Sequence, residues 1–278
     1  MSRKYSRIAR GFGFSALCLL CAPVYAQLLG TASSFAVLGA TPNVTNTGPS
    51  VVTGSVGVFP AASITGFPPG AIVPGTGSLH LADAVAQQAQ TDTTAAYLTL
   101  AGLAGAPAGP GLGGLTLAPG VYNVGAADLT GTLTLNGPGL YVFQATSLTT
   151  ASGPGAAIVA LTNGATACDV WWQVGGSAAI GTFTAMQGNI LALTSITIGT
   201  SSTLQGRALA RNGTVTLASN AVTACSGGTA AGFVVPAAAL VATAQGIPTL
   251  SQWALVLLAT LLAMAGAVAI GTRARGLR

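Results

Sequence analysis

Gly188-Asn189-Ile190-Leu191-Ala192-Leu193-Thr194-Ser195-Ile196-Thr197-Ile198 is followed, 18 residues on, by Gly206-Arg207-Ala208-Leu209-Ala210-Arg211-Asn212-Gly213-Thr214-Val215-Thr216-Leu217. Both stretches start on an aliphatic cluster and end in alternating hydroxyl and aliphatic residues. The same cluster recurs upstream. Leu140-Tyr141-Val142-Phe143, Val170-Trp171-Trp172, Asn189-Ile190-Leu191 and Arg207-Ala208-Leu209 begin 30, 19 and 18 residues apart, and Val121-Tyr122 lies 19 before Leu140. A period near 18 to 19 with Gly/Asn corners predicts a β-solenoid whose coils each make about three short strands. The 30-residue step predicts an insertion around Ile158 to Ala167. Without the repeat, a β-sandwich is the second reading.

The hydroxyl segments set the faces. Ser147-Leu148-Thr149, Ser177-Ala178-Ala179-Ile180, Ser195-Ile196-Thr197-Ile198 and Thr214-Val215-Thr216-Leu217 each alternate with period two. That period sends Leu148, Ala178, Ile180, Ile196, Ile198, Val215 and Leu217 inward and the Ser/Thr set outward. Ser147, Thr149, Ser195, Thr197, Thr214 and Thr216 therefore form a candidate flat face, interrupted at Ala179. Thr132, Thr134, Thr182, Thr184, Thr200 and Thr203 form the alternative face. The ordinary explanation is that Thr favours strands and must point somewhere on a chain with few charges.

One segment breaks the β pattern. Ser78 to about Gly102 spaces Leu79, Ala82, Ala86, Ala89, Tyr97 and Leu100 among Ala, Gln and Asp, without Pro or Gly until its end. It predicts a long helix capped by Ser78, with Asp83 in its early turns.

Composition narrows the chemistry. Charged residues are 5% of 278, with one His, no Glu and a single Lys, Lys4. Acid–base enzymes need titratable pairs, and nucleic-acid binding needs clustered Lys and Arg; this composition argues against most of the former and against the latter. The net charge of +5 sits at the two ends. Between them Arg207 and Arg211 face Asp83, Asp92, Asp128 and Asp169, a net −2. His80 and Asp83 are close enough to touch on the predicted helix, but read as a solvated capping pair because no nucleophile is placed beside them. Arg207 and Arg211 alternate onto one side of a strand, where pairing with Asp128 or Asp169 is expected. No catalytic residue, cofactor or metal site is expected, since one His and two distant Cys cannot close a tetrahedral site.

The basic ends read as addresses. Residues 1–26 have a basic start, an apolar stretch from about Phe12 to Cys21 and Val24-Tyr25-Ala26 before a signal-peptidase cut at Gln27. A lipoprotein cut at Cys21 is the rival, with bulky Leu20 against it. Loss of this leader leaves Cys168 and Cys225, which an oxidising compartment would join; two buried free thiols are the other possibility. Residues 27–226 form the domain, large enough to bury a core, and 227–246 an Ala/Gly/Val/Pro-rich linker. Residues 247–278 start with Ile247-Pro248-Thr249-Leu250-Ser251-Gln252-Trp253, continue uncharged from Ala254 to Gly271 and end in arginines. Eighteen residues at about 1.5 Å each span roughly 27 Å, close to a bilayer core. The end resembles the IPTL-type C-terminal sorting signals of Gram-negative bacteria, with Gln252 where Glu is more frequent. That resemblance implies recognition by an exosortase-like enzyme at the inner membrane, then release or transfer to the cell surface, the membrane being touched only through this segment. A permanent anchor is the alternative.

Several long stretches resemble one family. They are Leu29-Gly30-Thr31-Ala32-Ser33-Ser34-Phe35-Ala36-Val37-Leu38, Gly66-Phe67-Pro68-Pro69-Gly70, Ala82-Asp83-Ala84, residues 112–122 ending in Ala118-Pro119-Gly120-Val121-Tyr122, Trp172-Gln173-Val174-Gly175, and the two repeats quoted first. Together they are similar to the bacterial and fungal ice-binding proteins of the DUF3494 type. The resemblance implies a mostly β fold with one long α-helix: a discontinuous right-handed β-solenoid of triangular section, the helix packed alongside. It also implies adsorption to an ice crystal surface through one flat solenoid face. The Thr-Ala/Gly-any-Thr/Asn motif that some members carry has no clean repeat in this chain. A cell-surface adhesin or matrix protein on the same scaffold is the alternative, for which Tyr141, Trp171 and Trp172 would have to form an aromatic patch. A polysaccharide-cleaving β-helix would need clustered carboxylates, which four scattered Asp do not supply.

Overall fold

A computed structural model describes residues 28–226. The expected leader 1–26, the expected linker 227–246, the IPTL-type end and the apolar run 254–271 lie outside the described residues. Among the described residues no helix is long and apolar enough to cross a membrane.

Short parallel strands stack into three faces of one solenoid. The first stack contains Phe35–Gly39, Ser55–Val58, Leu79–Leu81, Val170–Val174 and the latter halves of Ala185–Ala192 and Thr203–Ala210. The starts of Gly120–Leu129 and Tyr141–Thr150 extend it. Phe35–Gly39 and Val170–Val174 are buried at every position, as expected for parallel strands covered on both sides. The solenoid core covers one side and the helix α1, Ala84–Ala101, the other.

The helix buries Ala86, Ala89, Gln90, Thr93, Ala96, Tyr97 and Leu100, a stripe with helical spacing whose small residues allow close approach. Gln90 Nε2 donates to Gly39 O at 2.8 Å and Ala210 O at 3.0 Å. Gln144 Nε2 donates back to Leu100 O at 2.7 Å and Leu103 O at 2.8 Å. The helix starts later than its sequence suggests. Leu79–Leu81 pairs with Val56, Gly57 and Val58 as a strand, Ala82 has φ 49°, and Asp83, not Ser78, is the N-cap, accepting from the Ala86 N–H at 2.8 Å.

The coils are not stacked in chain order. Val37 pairs with Val56 on one side and with Ala208 on the other, so the first coil formed by the chain closes onto the last. The helix then carries the chain to where Ala106–Pro107 pairs with Tyr122 and Asn123.

The expected insertion is resolved differently. Ile158 belongs to a regular strand, Ala157–Thr162, paired residue for residue with Gly131–Asn136. The extra length lies in the corners either side of that strand, whose second holds the short helix Ala167–Asp169. In the next coils the same corner is turned within a strand, at Gly188 and Gly206, with φ of 105° and 147°. A Cβ on Gly206 would run into the Gly188 carbonyl, so two coils stack there only with glycine at both levels.

Inside, Leu148, Ile196, Val215 and Leu217 are fully buried, and Ala178, Ile180 and Ile198 are 1%, 3% and 1% exposed. Each fully buried aliphatic chain contributes about 1.5–3 kcal/mol.

Candidate functional site

The second stack carries the hydroxyl segments. Its order is the end of Gly120–Leu129, the end of Tyr141–Thr150, Ala178–Ile180, Ile196–Ile198, Val215–Ala218, Val44–Thr47 and Ile64–Thr65. The register aligns Asp128, Thr149, Ala179, Thr197, Thr216, Thr45 and Thr65 as direct neighbours. Seven levels at about 4.8 Å make a row roughly 29 Å long. Two positions earlier in the chain stand Ala126 and Ser147, on their strands, and Ser177, Ser195, Thr214, Asn43 and Ser63, each just before its strand. This threonine face thus brings together Ser147, Thr149, Ser195, Thr197, Thr214 and Thr216.

It also adds Thr45 and Thr65, together with Asn43 and Ser63, which the spacing of the central coils did not point to. Their signal is an alternation in Val44–Thr47 and Ile64–Thr65, too short to stand out without the register. Thr149, Thr197 and Thr65 are exposed, while Thr45 and Thr216 are half-buried by their neighbours. Thr214 Oγ1 is 3.3 Å from Thr216 Oγ1, so hydroxyls tie the row sideways. Asp128, at one end, is the ionisable residue in these two rows, and its Oδ1 accepts from Thr130 Oγ1 at 2.9 Å. Chemically the face presents methyl and hydroxyl groups at the regular spacing of stacked strands with almost no charge.

The third stack is mixed. One row reads Thr132, Ile158, Ala185, Thr203, Ala221, Val51 and Ala71. The next includes Thr134 beside Thr116, and Gln187, Gln205, Thr223 and Thr53 in register. Of the alternative set, Thr132, Thr134 and Thr203 belong to this face. Thr182 and Thr200 sit at the corner before it.

Thr184 must be corrected. It is 1% exposed, its Oγ1 lies 2.9 Å from Thr150 Oγ1, and its N–H donates to Ser202 Oγ at 3.0 Å. Phe183, with φ 57°, breaks the period-two alternation and turns Thr184 inward. A corner ladder of Thr150, Thr184, Ser202, Asn220 and Ser50 continues from it, satisfying backbone groups that the bend takes out of strand pairing.

The other candidates resolve as parts of the scaffold. Tyr141 and Trp172 are fully buried and Trp171 is 7% exposed. Phe143 and Trp172 stack at 4.3 Å in the core. His80 Nδ1 is 2.8 Å from Asp83 Oδ2, and a hydroxyl does stand beside the pair: Ser78 Oγ is 3.0 Å from His80 Nε2. The trio closes the entry to the helix. Asp83 is engaged by the cap, whose Ala86 N–H and then His80 hold its carboxyl below the ordinary range. The Ser78 N–H donates to Ser55 Oγ at 3.3 Å.

Arg211 lies over the Tyr97 ring at 4.5 Å and donates to Thr94 Oγ1 at 3.3 Å, where an aspartate partner was expected. Arg207 is 7% exposed and donates to Ser33 O, Asn189 Oδ1 and Cys225 O at 2.7, 2.8 and 2.9 Å. Burial lowers its pKa to about 10, so it stays charged at neutral pH. Cys168 and Cys225 are joined, with Cα atoms 5.5 Å apart. Among the described residues no three His, Cys, Asp or Glu side chains converge as a metal site would need.

Comparison with known proteins agrees with this geometry. Residues 38–223 match the model of a family described as ice-binding-like, and residues 245–275 that of the IPTL-CTERM motif. The ice-binding protein of Nostoc sp. (strain HG1) is 48% identical over 231 residues, covering 80% of this chain and 83% of that protein. The ice-binding protein of Colwellia sp is 33% identical, covering 74% and 87%. Among solved structures, that of the ice-binding protein of the Antarctic ascomycete Antarctomyces psychrotrophicus superposes with a TM-score of 0.66 at 39% identity, covering 72% of this chain and 98% of that one. With the family model spanning most of the chain, the protein belongs to the ice-binding-like family of DUF3494 type, with an IPTL-CTERM motif after the solenoid.

Proposed function

We propose that the chain is an exported protein that adsorbs to ice through the threonine face. The observation that carries this reading is the register placing Thr149, Thr197, Thr216, Thr45 and Thr65 in one outward row, broken only at Ala179. A rigid row of short methyl-plus-hydroxyl chains orders surface water, and the near absence of charge avoids disrupting that order. Relatives named ice-binding proteins support it. The adhesin reading is weaker, because Tyr141, Trp171 and Trp172 are buried and leave no aromatic patch. We read the protein as a binding protein and not an enzyme, with ice as its partner and no cofactor.

Residues 1–26 act as the leader, 27–226 as the solenoid domain, 227–246 as a linker and 247–278 as the sorting signal with a membrane segment at 254–271. Export from a Gram-negative cell passes through signal peptidase, a transient inner-membrane stage and an exosortase-like enzyme, ending at the surface or outside. The deciding experiment is partition of residues 27–226 into a slowly growing ice hemisphere. Enrichment in the ice fraction is expected. Exclusion from ice by a folded domain would remove the reading, and failure to fold would move the boundary at 226.

A further inference from the structure

The corner that joins the mixed face to the helix-covered face holds the disulfide, and against one of its sulfurs stands a buried cation. Arg207 Nη1 lies 3.2 Å from Cys225 Sγ, and the same nitrogen donates to Asn189 Oδ1 at 2.8 Å. The rest of the guanidinium is held by Ser33 O, at 3.1 Å from Nε and 2.7 Å from Nη2, and by Cys225 O at 2.9 Å. The charge therefore cannot swing away from the sulfur. Beside the bridge is a cavity of about 300 Å³, lined by both cysteines with Thr166, Gln205, Thr223 and Ser226 among its walls. Holding Ser33 O and Cys225 O accounts for the cation as a tie between segments, but a structural bridge needs neither its contact with one sulfur nor an open cavity alongside. Exchange chemistry gains from both, because a departing thiolate leaves faster as its pKa falls, and an adjacent Arg lowers that pKa.

We propose that this bridge is an exchange site for small polar thiols, with Cys168 the sulfur attacked and Cys225 the sulfur released. A thiolate enters the cavity and its sulfur bonds to Cys168 Sγ. The Cys168–Cys225 bond breaks, and its electron pair leaves on Cys225 Sγ, where the Arg207 guanidinium stabilises the new thiolate. The product is a mixed disulfide on Cys168 and a free thiolate on Cys225; the reverse step restores the bridge and releases the thiol, so no other oxidant or reductant enters. Two other groups bear on the site. Asn189 Oδ1 is 3.7 Å from Cys225 Sγ and accepts from Arg207. Asp169, next to Cys168, accepts from Thr166 Oγ1 at 2.7 Å. The hydroxyl and amide lining of Thr166, Gln205 and Thr223 suits a thiol such as free cysteine or glutathione.

The test uses the intact oxidised chain with an excess of reduced glutathione at neutral pH, quenched in acid, alkylated and mapped by mass spectrometry. Glutathione is expected on Cys168 in preference to Cys225 by about tenfold. Equal labelling, preference for Cys225, or a bridge that takes up no glutathione at all would overturn the proposal. Arg207→Met should slow adduct formation by about tenfold, and a folded R207M protein that exchanges at the wild-type rate would also overturn it. Because Arg207 ties several segments together and its loss can prevent folding, the labelling ratio in the unmutated protein is decisive by itself.

Discussion

Thr45 and Thr216 are 171 positions apart in the chain, yet Thr45 Oγ1 donates to Thr216 Oγ1 at 3.3 Å on the threonine face. The pair marks the seam where the first coil closes onto the last. Register is kept across that seam, since Val215 pairs with Val44 and Ala218 with Thr47, and the outward row continues to Thr65. The threonine row is therefore built from both ends of the domain.

Substitution of Thr197 and Thr45 by Tyr places two bulky rings either side of Thr216 in the middle of that row. Ice recrystallisation inhibition should fall steeply, while stability changes by about 0.5 kcal/mol or less at exposed Thr197. Tyr at Thr203 and Thr223, both exposed on the mixed face, is the matched control and should leave activity intact. Loss only in the control pair would move the ice contact to the mixed face.

Replacing Cys168 and Cys225 together by Ser opens a loop with a sequence separation of 57. The chain-entropy account expects a loss of about 4 kcal/mol, read as a clear fall in melting temperature. An unchanged transition would mean that the strands of the last coils hold the corner unaided.

Asp83 caps the helix through the Ala86 N–H at 2.8 Å. Asp83→Ala should cost about 1 kcal/mol, while Asp83→Asn, itself a good cap, should cost much less. The folded pKa of Asp83 lies below the ordinary 3.8. The stabilisation that its charge adds is thus present above that ordinary value and lost as pH falls through the folded one. Thermal scans from pH 6 down to pH 2 should show the wild type losing more stability than D83N, and parallel curves would refute the linkage.

Gly206→Ala and Gly125→Ala separate strain from collision. Gly125 has φ 62° with no neighbour within 4 Å of an added Cβ, so the cost should be about 1 kcal/mol of backbone strain. Gly206 combines φ 147° with a Cβ driven into the Gly188 carbonyl, and should cost several times more, about 3 kcal/mol or above. Denaturant melts that rank the two equally would contradict the stacked corner.

Much of this was legible in the chain because the central coils keep time. Between Val170 and Thr223 each coil takes 18 or 19 residues, so Thr197 and Thr216 could be aligned by counting, and the inward row from Leu148 to Leu217 followed from period two. Counting fails where the chain bends. Thr184 follows a residue with positive φ, and Ile158 sits in a coil whose corners are longer, so both were misplaced. It fails again at the seam, since no local pattern says that Val44–Thr47 inserts between Val215–Ala218 and Ile64–Thr65. The helix start was misread because Leu79 stands at helical spacing from Ala82 and Ala86, while Leu79-His80-Leu81 alternates as a strand does. The pairing with Val56 and Val58 decides between them.

The closure of the first coil onto the last also has a kinetic meaning. Residues 35–58 are made early, but their neighbours at 207–223 come at the end of the solenoid, so the threonine row stays split until nearly the whole domain exists. Contacts of such sequence separation make for slow folding. A half-made chain has edges at Val44 and Val51 waiting for partners, and a second half-made chain could supply them. The same join that lengthens the threonine row makes the nascent domain dependent on being finished before it meets a copy of itself.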